Sequence, residues 1–360
     1  MYPALVIDKE KIKSNIGTIV KLCSKKNIGV SGVIKGCSGN TQFSKLLVEE
    51  GCKHIASSRI EQLKNVKLNA LNLPTMLLRI PMKSEVARMI NYVDISLASE
   101  LEVIKYIELK CSAHNIHHKV ILMMDIGDLR EGYIDKEELI KTALYIENNL
   151  KFVELHGIGT NIGCYGSVRA TNQNLNVLAN IASEVEELIG RPLDIVSGGA
   201  TSSLALVCRD DMPSKINNLR IGESILTARE LNEFYGGNIS SLSKRGFTLK
   251  AEIVEIKNKP THPIGELYYD AFGNKPSFED RGNKNRMILA VGRQDFGSHD
   301  KLIAITENIK IIGSSSDHLI VETISENHKF KLGDIIDFEL LYPALLYLSQ
   351  SSSVTNLIKL

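Results

Sequence analysis

Over the first two-thirds of the chain, apolar residues follow two alternating periods. Compact runs rich in Val, Ile and Leu lie at 29–34, 54–58, 75–79, 93–97, 119–126, 152–158, 193–197 and 218–221, each the length of a buried strand. Between most of them, apolar positions recur at helical spacing, at 42–50, 59–67, 83–90, 99–113, 136–148 and 172–189, which predicts amphipathic helices. Another helix, with Ile12, Ile16, Ile19, Val20 and Cys23 on one face, follows a short extended lead-in. The stretch 202–210 has the weakest helical pattern. Strand and helix in alternation, eight times, predict an α/β fold, a (β/α)8 TIM-type barrel. A doubly wound open sheet is the alternative architecture.

Near residues 234–243 the pattern changes to a loop-like stretch of Gly, Asn and Ser. Beyond it come short β-type runs at 248–256, 286–291, 302–305, 309–312, 318–323 and 335–341, while 350–360 shows no clear pattern. The chain therefore reads as a barrel over 1–236 and a mainly β domain over 237–360.

Composition narrows the function classes. The 360 residues carry a net charge of +1, which gives no electrostatic case for nucleic acid or an anionic membrane. No apolar run is long enough to span a bilayer, and the N-terminus has no secretory pattern. Cys23, Cys37, Cys52, Cys111, Cys164 and Cys208 are scattered, which fits free thiols in a reducing, cytoplasmic compartment. His114, His117 and His118 precede a strand in a polar connection, and read as a solvated cluster with no metal.

Five stretches fall at carboxyl ends of predicted barrel strands, where such folds carry chemistry. Lys35 follows the first strand. Asp125-Ile126-Gly127-Asp128-Leu129-Arg130-Glu131-Gly132 follows the fifth, and Gly157-Ile158-Gly159-Thr160-Asn161 the sixth. Ser197-Gly198-Gly199-Ala200-Thr201-Ser202 closes the seventh, and Arg220-Ile221-Gly222-Glu223 the eighth. The Gly/Ser run reads as a phosphate cradle: glycines let backbone N–H groups approach an anion, and Ser197, Thr201 and Ser202 offer hydroxyls. Its bland reading is a plain surface turn. A lysine and a phosphate cradle in one barrel mouth suggest pyridoxal phosphate, whose aldehyde takes up a lysine amine. An arginine such as Arg220 beside the pyridine nitrogen keeps that nitrogen unprotonated, because guanidinium holds its proton. The ring is then a weaker electron sink, which favours reprotonation at the same carbon over transamination.

Taken together, these motifs resemble the alanine racemase family over essentially the whole length. Val33-Ile34-Lys35 is similar to its Schiff-base lysine motif, and 125–132 to its Asp-x-Gly-x-x-Arg-x-Gly stretch. Gly157-Ile158-Gly159-Thr160-Asn161 is similar to its Gly-x-x-Thr-His segment, with Asn161 where histidine is usual. The resemblance implies pyridoxal phosphate held by Lys35, Ser197, Gly198, Gly199, Thr201, Arg220, Gly222 and Glu223. It also implies catalysis through a Lys35 aldimine and an α-carbanion, Arg130 on the substrate carboxylate, and Ser316 and Asp317 near the substrate. The expected assembly is a homodimer whose β domain completes the partner's site. The motifs at 33–40, 125–133 and 196–202 are most similar to the ornithine-specific branch, so the expected reaction interconverts L- and D-ornithine. Racemisation of lysine or alanine, and a non-catalytic cofactor-holding protein, are the alternatives.

The departures bear on mechanism. The family's acid/base tyrosine lies in a Gly-Tyr-Ala-Asp-Gly motif, which here is Gly292-Arg293-Gln294-Asp295-Phe296-Gly297. Arginine is a poor proton shuttle. Asp295, Cys164 and His299 are the candidates for a second acid/base. Met123 stands where the family often has a carbamylated lysine. Asp128, Glu131, Asp295 and Asp317 are the acids available to a distal ammonium.

Overall fold

The computed structural model describes residues 1–325 and 330–359. The chain divides into two compact units, Glu10–Ser243 and a second made of Met1–Lys9 with Lys244–Leu360. The strands run β1 (Ala4–Asp8), β2 (Gly29–Val33), β3 (His54–Ser57), β4 (Thr75–Leu77), β5 (Ile95–Ala98), β6 (His118–Met123), β7 (Val153–Gly159), β8 (Ile195–Ser197) and β9 (Asn218–Ile221) through the first part of the chain. From β2 to β9 each is parallel to its neighbour, and β9 bonds back to β2, closing a barrel. The helices of this unit are α1 (Lys9–Ser24), α2 (Thr41–Glu49), α3 (Ile60–Leu68), α4 (Val86–Met89), α5 (Leu101–His114), α6 (Lys136–Asn149), α7 (Asn172–Ile189), α8 (Thr201–Cys208), α9 (Glu223–Leu226) and α10 (Glu230–Glu233). None of the described helices is long and apolar enough to cross a membrane.

Local chemistry explains the element ends. α7 matches its expected span because Thr171 and Asn174 cap each other at its start and Gly190, at φ 73°, closes its end. The strand expected to reach 126 stops at Met123, because the Asp125 carboxylate gathers the backbone that follows. One part of the barrel is an apolar core: Val33, Met76, Leu97, Ile121, Met123 and Ile195 form one buried cluster, so Met123 serves as core. Gly157 permits β7 to lie against β8, since a Cβ there would sit 2.0 Å from the Ile195 carbonyl oxygen.

The smaller unit holds β10 (Phe247–Pro260), β11 (Asn283–Leu289), α11 (Arg293–Phe296), β12 (Leu302–Ala304), β13 (Ile309–Ser314), β14 (Leu319–Thr323), β15 (Ile335–Leu340), α12 (Tyr342–Leu348) and β16 (Thr355–Lys359). Its sheet order is β12-β15-β10-β11-β14-β13, with β1 antiparallel to β10 and parallel to β16. The expected division at 236/237 therefore differs from the one observed. The N-terminal lead-in is a strand of the β unit, while 237–243 stays with the barrel unit. Buried Asn15 fixes the latter by exchanging hydrogen bonds with Ser243 (2.8 and 2.9 Å) while donating to the Ile225 carbonyl (3.0 Å). The histidine cluster is also corrected. His114 and His117 are exposed, but His118 opens β6 fully buried, bonded to Ser96 Oγ (2.9 Å) and beside the Val93 carbonyl (3.2 Å).

Candidate active site

Lys35 stands two residues beyond β2, at the start of a single 3-10 turn, Lys35–Cys37. Ser38 and Gly39 complete the reversal at φ 51° and 70°, and Asn40 Oδ1 caps α2 by accepting from Gln42 N and Phe43 N. The small residues after the lysine are thus what lets strand pass to helix in a few residues. Lys35 is half-buried, and burial lowers its amine below the usual lysine range. Cys164 and Glu131 act to raise it, while Arg130 and Arg220 lower it further. Those four side chains are therefore its electrostatic surroundings.

The loop after β6 explains its own sequence. Asp125 accepts from the backbone N–H groups of Gly127 (2.8 Å), Leu129 (3.2 Å) and Arg130 (3.0 Å). Gly127 takes φ 122°, and Gly132 (φ 129°) passes so close that a Cβ would lie 2.6 Å from Asp125 N. Asp128 is buried and accepts from Gly163, Cys164, Tyr165 and Val168, so it organises the loop after β7. Burial opposes its charge, but these four donors outweigh that and hold its pKa below the usual carboxylate range. Asp128 is thereby removed from the acids open to a distal ammonium.

Arg220, in β9, is almost fully buried. Its Nη1 donates to Ser197 Oγ, and its Nη2 to the Thr160 carbonyl (2.6 Å) and Asn161 Oδ1 (2.5 Å). Burial pulls its guanidinium down to about 10, opposed by Glu131, and it stays charged at neutral pH. Asn161 Nδ2 donates to Glu131 Oε1, and the Glu131 carboxylate also takes Arg130 Nη2 (2.9 Å) and Arg130 Nε. The loops after β6 and β7 and strand β9 are thus joined by one polar network.

Ser197 requires a correction. Its hydroxyl accepts from Arg220 and donates to Asn218 Oδ1 (2.7 Å), so it orients the arginine and is not free for an anion. Ser202 Oγ donates to the Ile162 carbonyl (2.6 Å) and is likewise engaged. Thr201 Oγ1 accepts from Ser224 N (3.4 Å) and Oγ (3.1 Å), tying the first turn of α8 to that of α9. Neither helix has a side-chain cap at its start, where Ala200 and Gly222 stand. The Glu223 carboxylate accepts from Thr227 Oγ1, Arg229 N and Glu230 N; what remains for an anion is its backbone N–H. Ser203 Oγ, in the first turn of α8, is buried without a partner among the described residues. Sequence reading passed over it. Gly198 lies where a Cβ would meet Ile216 at 2.6 Å, and Gly199 where one would meet Ser203 Oγ at 2.7 Å. A short backbone turn and two uncapped helix starts fit a phosphate. A lysine amine of lowered proton affinity and a buried arginine fit the aldehyde and ring nitrogen of pyridoxal phosphate.

The remaining candidates lie in the β unit. Asp295 is buried and accepts from Gly292 N (3.1 Å) and Ser351 Oγ (2.8 Å), a structural role that removes it both as proton carrier and as ammonium partner. Arg293 lies 4.0 Å over the Phe272 ring and donates from Nε to Ser314 Oγ (3.0 Å), which also bonds His299 Nδ1 (2.9 Å). Burial, then Arg293, lowers the His299 pKa. Ser316 and Asp317 are exposed between β13 and β14; Asp317 accepts from Gln294 Nε2 (2.7 Å) and Ser316 Oγ (2.7 Å). Cys164 is exposed in the loop after β7, in the same barrel mouth as Lys35.

Residues 7–230 match the family described as the N-terminal domain of alanine racemase. The chain is 44% identical over 349 residues to the ornithine racemase of Acetoanaerobium sticklandii, covering 96% of each chain. It is 33% identical to the lysine racemase of Thermotoga maritima, over 96% of this chain and 95% of that one. Among solved structures, an alanine racemase of Clostridium difficile 630 superimposes with a TM-score of 0.74 at 16% identity, covering 100% of this chain and 96% of that chain. A D-threonine aldolase from Filomicrobium marinum gives 0.75 at 13% identity, over 97% of this chain and 89% of that one. At such identities the solved structures speak for the fold alone.

Proposed function

The chain belongs to the alanine racemase family, and from that premise we propose that it is a pyridoxal-phosphate-dependent amino-acid racemase that interconverts L- and D-ornithine. The observation that carries this reading is the grouping of Lys35, Arg130 and Arg220 about one barrel mouth, in a chain 44% identical to an ornithine racemase. When bound, the cofactor supplies an aldehyde carbon for amines and a conjugated ring that takes up the electron density left when a proton leaves Cα.

The chain's own residues do the rest. Lys35, with its proton affinity lowered by burial, takes the α-proton on one face and returns one there. Arg130 takes the α-carboxylate through its guanidinium fork. Arg220, held by Ser197, Thr160 and Asn161, donates toward the ring nitrogen and keeps it unprotonated. Backbone N–H groups at the starts of α8 and α9, with Thr201 and Gly222, hold the phosphate. Cys164, exposed in the same mouth as Lys35, is the candidate for the opposite face, since Asp295 is engaged and His299 Nδ1 is bonded to Ser314. Asp317, with Ser316, is the acid left for the distal ammonium, supplied by the second copy of a homodimer. The free cysteines support a reducing, cytoplasmic setting.

The test is optical. L-ornithine, L-lysine and L-alanine are followed separately by circular dichroism with cofactor added, for wild type and Lys35→Ala. Loss of ellipticity with ornithine, abolished in the variant, is the expected result. Faster turnover of lysine or alanine overturns the substrate, and turnover that survives in Lys35→Ala overturns the mechanism.

A further inference from the structure

The barrel mouth brings three cationic groups together, Lys35, Arg130 and Arg220, and its carboxylates are unequally placed to balance them. Asp125 and Asp128 fold loops by accepting backbone N–H groups, and Glu223 closes its own turn. Among the described residues, Glu131 is the carboxylate whose oxygens meet an arginine side chain in these loops. It is also linked to the second arginine, because Asn161 Nδ2 donates to Glu131 while Asn161 Oδ1 accepts from Arg220. The partners on each side set the orientation of that amide.

The geometry at Arg130 is specific. A guanidinium offers two forked edges, one through Nε and the nearer Nη, the other through both Nη groups. Glu131 occupies the first, taking Nε and Nη2. The second edge is left for another carboxylate. Arg130 lies in an exposed loop, where a long side chain otherwise loses its orientation to rotamer entropy. The carboxylate next to it in sequence supplies the partner, in a loop that Gly132 lets close on Asp125.

We propose that Glu131 is a positioning residue of the racemase. It clamps one edge of Arg130 so that the other faces the substrate's α-carboxylate, and through Asn161 it steadies Arg220 against the cofactor ring. Carboxylate recognition and cofactor electronics are then held by one unit. The inference rests on the racemase reading above and extends it to a residue at a variable position of the Asp-x-Gly-x-x-Arg-x-Gly pattern.

Glu131→Ala, Glu131→Gln and Glu131→Asp are compared with wild type. The alanine and glutamine variants are expected to raise the KM for L-ornithine by tenfold or more and to weaken cofactor binding several-fold, with thermal midpoints unchanged within about 2 °C. Aspartate, which keeps the charge on a shorter stem, should recover part of both. A second readout needs no turnover: the pH profile of Lys35 labelling by an amine reagent in the cofactor-free protein. Loss of the Glu131 charge should move that profile to lower pH. KM and cofactor affinity within twofold of wild type overturn the proposal, as does a loss that follows thermal stability and is not recovered by aspartate. If ornithine is not a substrate but the labelling profile shifts, the clamp stands and the substrate assignment falls. An unshifted profile removes the clamp whatever the substrate.

Discussion

The two ends of the barrel are furnished with similar ionisable side chains, and only one of them keeps its charges poised. At the amino end a cavity of about 700 Å³ is lined by His54, Lys67, Asp94, Lys119 and His156, among others. Burial discharges the histidines: it pushes His54 and nearby His118 down to about 4, and it lowers His156 as well, helped by Lys119. Lys67 is paired with Asp94, which also caps Thr75 N. Lys67 and Asp94 there satisfy each other. At the carboxyl end the cations outnumber the carboxylates that touch them, and two helix starts are uncapped. The ends are joined through the barrel by a file of hydrogen bonds, Arg220–Ser197–Asn218–Ser31–His54. A cavity with histidines is thus a weaker sign of function than unbalanced charge beside open backbone donors.

That contrast can be tested by variants at each end. Lys35→Ala should lower racemisation on the order of a thousandfold or more, the scale of losing a positioned acid/base and the cofactor's covalent anchor together. His156→Gln at the other end should leave kcat within about twofold, measured in the same assay.

The amino end should instead show itself in acid. A histidine kept neutral by the fold binds its proton in the unfolded chain first, between about 6.5 and 4. This contribution is therefore full above about pH 6.5, falls as pH drops through that window, and is gone below about 4. Fully buried His118 should account for about 3 kcal/mol of the fall, half-buried His54 for less. Urea midpoints from pH 7 to 4 check this, and His118→Asn should flatten the curve.

Asp128→Ala should cost about 2 kcal/mol locally, by orphaning buried backbone donors of the loop after β7. Amide exchange of residues 163–168 should accelerate while the barrel strands keep their protection. Least of all, Ser203→Ala should weaken cofactor binding by about 1 kcal/mol, roughly fivefold, if its unpartnered hydroxyl meets the phosphate. Fluorescence titration of the cofactor-free protein reads that change.

Much of this was legible in the sequence, for reasons that also mark where reading stopped. Buried parallel strands need continuous apolar runs, so the strands from β2 to β9 stood out. β16 escaped because it is mostly exposed and carries no apolar period, and β1 was read only as an extended lead-in of the barrel because its partners lie more than 200 residues on. α12 was hidden inside an unbroken apolar stretch after β15, where period alone does not separate strand from helix. In the site, Lys35, Arg130 and Arg220 were visible as motif residues. Ser197 was misread because Arg220, which takes its hydroxyl, lies 23 positions on. The clamp at Glu131 was invisible for the same reason, since Asn161 is 30 positions away.

The most direct test is to trap the cofactor where it binds. Protein incubated with pyridoxal phosphate is reduced with borohydride, digested and mapped by mass spectrometry. The account predicts a single stoichiometric adduct on Lys35, at the carboxyl end of β2. An adduct on Lys67 or Lys119, beside the amino-end cavity, or no adduct at all, would contradict it.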